Sequence, residues 1–243
     1  MDLNSYTHIV LIGEREELEV LPNSQTATTT FQDFDNIGAQ NGGWTVAWQG
    51  YNGNFFWADE HKKSSHSSSI LDALKTRIDP SKTELLYPAY SNSSNQDAVT
   101  QERQNFLSKL MALSSNAEKR ILVLGVLAEN PYSEWMGDVN NPFCYGTTLP
   151  AEGCIYNAHA NMYMPDQQAT EIKVQYHDFA VQVISKIKEL DSRAKMVHVV
   201  LSGRPVLMDM KGAPVDALIA AWLPGTTGGE AIVSALNGEY LFR

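Results

Sequence analysis

Residues 120–127 (Arg-Ile-Leu-Val-Leu-Gly-Val-Leu) and 196–201 (Met-Val-His-Val-Val-Leu) are nearly uninterrupted apolar runs of strand length. A strand with one wet face alternates apolar and polar residues. A run that does not alternate has both faces covered, as the strands of a parallel sheet do. Weaker runs of the same kind occur at 8–13, closed by Gly13, at Leu85-Leu86-Tyr87, and at 216–223, closed by Pro224-Gly225. Helical patterns fall between them. Ser67-Ser68-Ser69 offers N-cap hydroxyls, after which Ile70, Leu71, Leu74 and Ile78 keep one face. Phe106, Leu107, Leu110 and Leu113 mark a helix over 99–113, and Phe179, Val183, Ile187 and Leu190 a longer one over 172–190. A short closing helix is expected over 229–236. Strand alternating with helix predicts a doubly wound α/β fold, helices on both faces of the sheet.

Two segments break this rhythm. Residues 14–34 are largely polar and contain Thr26-Ala27-Thr28-Thr29-Thr30, which suggests an extended piece or a hairpin. Residues 140–168 are rich in Pro, Gly and Asn and read as a long structured loop with several aromatic residues. No repeat or linker divides the 243 residues, so one domain over 1–243 is expected, carrying that loop as an insertion. The formal net charge of -10 argues against a nucleic-acid partner, whose phosphates it would repel, and no apolar run is long enough to span a bilayer. Residues 1–5 lack the basic start and apolar stretch of a signal peptide. The compartment stays open, secreted or vesicular if the chain is part of a longer precursor. Cys144 and Cys154 lie in the one loop-like stretch, where either a small disulfide loop or two free thiols would fit. Asn92-Ser93-Ser94 is a glycosylation sequon, and no metal-ligand spacing is present near His159.

The chemistry-bearing residues cluster in four places. In Gly42-Gly43-Trp44-Thr45-Val46-Ala47-Trp48-Gln49-Gly50, glycine lets backbone approach a ligand closely, and each indole offers a flat apolar face with one N–H. A sugar ring matches such a face; core anchoring fits the same residues. Asn36, Gln40, Asn41 and Gln49 lie nearby, as amides able either to bind hydroxyls or to tie down the glycine-rich turn. The strand over 120–127 delivers Glu129 and Glu134 to its carboxyl end, where open α/β sheets gather ligands; solvated loop acids are the alternative. Arg204 follows the strand over 196–201 and could reach the same edge or pair with Asp209 or Asp216. The loop from Leu223 to Gly229 enters a helix, as anion-holding loops do, but lacks the Lys-Ser/Thr ending of a P-loop. Ser202 has no GxSxG setting, which excludes the usual serine-hydrolase elbow.

The stretch from Gly42 to Gly50 resembles the GGWT-x-x-WQG signature in the second domain of glycoside hydrolase family 3. Three further segments are similar to that domain in the same order: Glu129-Asn130-Pro131-Tyr132-Ser133-Glu134 with Gly137-Asp138, then Ser202-Gly203-Arg204-Pro205, then 216–225. The resemblance implies a three-layer α/β/α sandwich of about six mostly parallel strands. It implies a retaining β-glucosidase or exo-β-glucanase reaction on a β-glucan or β-glucoside. It implies Glu134 as general acid/base, with Glu129 the second choice, Trp48 as the indole of the outer sugar subsite, and Trp44 as its more structural neighbour. Gln49, Asn41 and Arg204 would be further sugar contacts, and no metal or cofactor is required. The (β/α)8 barrel that carries the family's nucleophilic aspartate has no counterpart in this sequence, and Ala128 replaces a common glycine. Two functions follow: a catalytic half that works with a barrel in cis or in trans, or a non-catalytic carbohydrate-binding or structural module.

Overall fold

The computed structural model describes residues 1–20, 26–42, 54, 67–90, 94–113, 119–129, 154–157, 162–165, 173–175, 178–203, 205, 207–209 and 214–240. A 3-10 turn at Leu3–Ser5 leads into strand β1 (His8–Ile12). Strands β2 (Glu14–Val20) and β3 (Thr26–Gln32) pair antiparallel, so the polar segment after β1 is a hairpin. A 3-10 turn at Asp33–Asp35 and the short helix α1 (Ile37–Asn41) follow. Next come α2 (Ile70–Arg77), β4 (Glu84–Leu86), α3 (Gln96–Ala112) and β5 (Ile121–Ala128). Strands β6 (Cys154–Asn157) and β7 (Met162–Pro165) form a second hairpin, inside the stretch expected as loop. The chain continues through β8 (Lys173–Gln175), α4 (Asp178–Leu190), β9 (Lys195–Leu201), β10 (Leu207–Asp209), β11 (Ala217–Trp222) and α5 (Gly228–Leu236).

The main sheet has the order β11-β9-β5-β1-β4 with every pairing parallel. Among the described residues it has five strands, against the six, mostly parallel, that the resemblance implies. The apolar runs explain the centre of this order. All eight residues of β5 and the last six of β9 are buried. Their side chains alternate between two cores. Leu122, Leu124, Val126, Val197 and Val199 pack with Ile70 and Leu74 of α2 and Ile232 and Val233 of α5. Ile121, Val123 and Met196 pack on the other face with Phe106 and Leu110 of α3 and Phe179, Val183 and Ile187 of α4. Each such side chain contributes about 1.5–3 kcal/mol by leaving water. The result is the α/β sandwich expected from the strand–helix alternation.

Local signals place the helices. Ser69 caps α2: its hydroxyl accepts from Asp72 N at 3.1 Å while the Asp72 carboxylate accepts from Ser69 N, a closed capping box. Asn95 caps α3 through Ala98 N at 3.1 Å. Where β1 ends, Gly13 adopts φ +136°, and a Cβ there would sit 2.0 Å from the Val126 carbonyl oxygen. Only glycine allows the chain to turn out of β1 so close to β5. The hairpin that follows is anchored at its base. Glu14, its side chain 3% exposed, pairs with Arg103 of α3 at 2.6 Å, and Gln32 Nε2 donates to the Pro88 carbonyl at 2.9 Å.

Two expectations are corrected. The helix expected over 172–190 begins only at Asp178, because Lys173–Gln175 pairs in parallel with β10. That pairing lies outside the local pattern and overrides it. The run at 216–223 is a strand, but it is not covered on both faces. Leu218 is 48% and Trp222 55% exposed, while Ile219 and Ala221 pack against the core. Apolar composition does not encode position in a sheet, and among the described residues β11 is the edge strand beside β9.

Candidate functional site

Parallel strands end at one edge, so the carboxyl ends of β1, β5, β9 and β11 lie together. Three short connections cross that edge. Asp33, 2% exposed, donates its N–H to the Gly13 carbonyl at 3.0 Å, and its Oδ2 accepts from Ala128 N at 3.0 Å. Glu129 N donates to the Leu201 carbonyl at 3.0 Å, extending the ladder between β5 and β9 by one residue. The Ser202 hydroxyl donates to the Glu129 carboxylate, and Ser202 N donates to the Trp222 carbonyl at 3.1 Å. Ser202 is buried at 3% exposure. Trp222 sits at φ 55°, left-handed and unusual for a bulky residue, next to a register shift between Ala220 and Trp222.

The amides beside this edge hold the backbone. Asn36 Oδ1 accepts from Ala39 N at 2.8 Å and so starts α1. Asn54 Oδ1 accepts from Ile37 N at 2.9 Å, and its Nδ2 donates to Asp35 Oδ1 at 2.7 Å. Gln40 Nε2 lies 3.0 Å from the Ser68 carbonyl and 3.2 Å from that of Gly225, while Gly225 N returns a bond to the Gln40 carbonyl. Asn41 Nδ2 donates to the Ile37 carbonyl at 2.7 Å. The donors of Gln40 and Asn41 are thus directed at main-chain oxygens, the arrangement that ties down a turn.

The glycine loop before α5 is likewise filled from within the protein. Ser68 Oγ accepts from Glu230 N at 3.2 Å, the Ser68 carbonyl accepts from Gly229 N at 3.3 Å, and Ser68 N donates to the Thr226 carbonyl at 2.8 Å. A Cβ on Gly229 would approach the Ser69 carbonyl oxygen to 2.1 Å. These glycines serve close packing of α5 on the start of α2, and the N–H groups of Gly229 and Glu230 that an anion would need are engaged.

Of the residues singled out from the sequence, Glu129 and Asn41 are described and lie at or beside this edge. Glu134, Trp44, Trp48, Gln49 and Arg204 lie outside the described residues, as do Cys144 and Asn92 and Ser93 of the sequon. Of the two acids offered to Arg204 as alternatives, Asp216 takes Lys195 Nζ at 3.0 Å and Met196 N at 2.8 Å. The Met196 N–H, with Lys195, holds its carboxyl below the usual range. His198 is fully buried opposite Gly125, with Nε2 2.9 Å from the Pro214 carbonyl; burial pushes its imidazole down. Asp33 and the Ser202–Glu129 contact were missed from the sequence. Asp33 carries only the weak signal of an acid just before the Asn36 cap. Ser202 and Glu129 are 73 residues apart, and nothing local links them. Among the described residues no group of three or more His, Cys, Asp or Glu could hold a metal, and no helix is long and apolar enough to cross a membrane.

The family model described as glycosyl hydrolase family 3 C-terminal domain matches residues 3–243. No curated protein matches the chain. Similar solved structures include a β-glucosidase from Listeria innocua in complex with isofagomine, 16% identical with a TM-score of 0.47. That likeness covers 99% of this chain and 22% of the other. An exo-1,3/1,4-β-glucanase from a Pseudoalteromonas species, as its Q683A mutant, is 19% identical with a TM-score of 0.46 over 96% of this chain and 25% of its own. The chain therefore spans a quarter or less of the length of these enzymes.

Proposed function

The chain belongs to the glycosyl hydrolase family 3 C-terminal domains, and on that premise we propose that it supplies one half of a retaining β-glucosidase or exo-β-glucanase site. The other half, with the nucleophile, comes from a (β/α)8 barrel in the same or another polypeptide. In this reading residues 1–243 act as one domain. Glu134 gives its proton to the glycosidic oxygen as the bond to the anomeric carbon breaks and the barrel's carboxylate attacks that carbon. The same Glu134, now ionised, then takes a proton from water as the water displaces the enzyme carboxylate. Such pairs stand about 5–5.5 Å apart, so the two halves must meet closely. Trp48 stacks on the glucosyl ring, Trp44 supports it, and Gln49, Asn41 and Arg204 bind hydroxyls or the backbone that presents them.

The observation that carries this reading is the family match over nearly the whole chain. The carboxyl edge of the sheet supports it, because β5 hands the chain to Glu129 there, five residues before Glu134. The test is release of nitrophenol from an aryl β-glucoside by the chain alone and with a family 3 barrel added. Turnover is expected only with the barrel, falling about 10²–10⁴-fold in E134Q. Turnover by the unaided chain that E134Q abolishes would refute the division of labour. Glucan binding without turnover in any mixture would leave the non-catalytic module instead.

A further inference from the structure

We propose that Glu129 is a positioning residue rather than the proton donor: with Ser202 and Asp33 it clamps the exit of β5 and so sets the direction in which the chain leaves toward Glu134. This rests on Glu134 being the general acid/base. Glu129 was the other candidate for that role, and its contacts point to a different one. A proton donor must aim a protonated oxygen at the substrate. Oε2 of Glu129 accepts from the hydroxyl of a serine that is 3% exposed, which ties the carboxyl group into the sheet edge. The same residue is tied through its backbone to the same strand, Glu129 N to the Leu201 carbonyl at 3.0 Å. Two bonds, to the last residue of β9 and to the one after it, fix both the position and the rotation of residue 129.

The clamp is held from the other side as well. Asp33 leaves the hairpin that follows β1, and its buried carboxylate takes Ala128 N at 3.0 Å. Residue 128 is thus pinned toward β1 and residue 129 toward β9. Ser202 passes the constraint on, since its N–H is bonded to Trp222 at the end of β11. A carboxylate is the suitable group at both points. Charge-assisted hydrogen bonds are shorter and roughly twice as strong as neutral ones. A catalytic carboxyl displaced by about 1 Å loses on the order of 10²-fold in rate, so a fixed exit direction has a kinetic consequence.

The test compares E129A, E129Q and S202A with E134A, each mixed with a family 3 barrel and an aryl β-glucoside bearing a good leaving group. E134A is expected to lose turnover and to regain it with azide, which attacks the glycosyl-enzyme without needing the missing base. E129A and S202A are expected to lower kcat about 10- to 100-fold with little change in KM. Their double variant should lose no more than the worse single one, and azide should restore neither. E129Q keeps an acceptor for the Ser202 hydroxyl and should recover most of what E129A loses. Azide rescue of E129A, or a loss in E129Q as deep as in E134Q, would overturn the proposal and make Glu129 the acid. If the native mixture shows no turnover, the functional reading fails, and the clamp is read separately in the isolated chain. There the 1H–15N resonances of residues 130–138 should shift in both S202A and E129A and return in E129Q. Resonances that stay fixed in S202A would overturn it.

Discussion

Single residues show most clearly where close approach, charge and burial decide the structure. Gly229 is glycine because the Ser69 carbonyl oxygen occupies the space of its Cβ. G229A is expected to cost about 1–3 kcal/mol, seen as a lowered Tm, because the obstacle is backbone and cannot turn aside. His198 gives a pH signature. Burial lowers its pKa from 6.5, against the opposing pull of the Pro214 carbonyl and Asp216. Below pH 6.5 the unfolded chain therefore takes up a proton that the folded chain refuses, and stability falls with pH until the folded value is reached. His8 acts in the same direction, its burial outweighing Glu84. Tm should decline on acidification from pH 6.5, and in H198Q the slope should flatten; an unchanged slope would assign the effect elsewhere. The Ser69 capping box could be read from sequence because its partners are three residues apart. The Asp33–Ala128 and Ser202–Glu129 contacts could not, because folding alone joins residues 95 and 73 positions apart.

At the scale of elements, β5 and β9 followed from their apolar runs because strands buried on both faces have no polar alternation to show. The same reasoning placed β11 but missed its exposure, since an edge strand can carry the same composition. The consequence is measurable. L218K should change stability by no more than about 0.5 kcal/mol, whereas L124A in the central strand should cost about 2–5 kcal/mol by chemical denaturation. Equal costs would mean that β11 is covered in solution. Helix α4 was readable from Phe179 onward, where its apolar stripe meets α3, and not before it, where a distant strand claims residues 173–175. The β2–β3 hairpin was legible as one of two readings, an extended piece or a hairpin, from the polar, threonine-rich segment that breaks the strand–helix rhythm. Its pairing and its anchor, Glu14 on Arg103, are tertiary.

Across the whole molecule, the family match over residues 3–243 and the α/β sandwich agree with what the four ordered motifs implied. The strand order is what the proposed function builds on. Five parallel strands end at one edge, the buried Asp33 carboxylate and the Gln40 amide bond to main chain beside it, and Glu134 follows β5 six residues on in sequence. On the proposed function, the second carboxyl comes from a barrel. The most direct measurement is the steady-state rate of aryl β-glucoside cleavage by the purified chain, before and after a family 3 barrel is added. No cleavage above the barrel's own background is expected until both are present, then turnover that depends on Glu134. Turnover by the chain alone, or turnover in the mixture that survives E134Q, would contradict the proposed function.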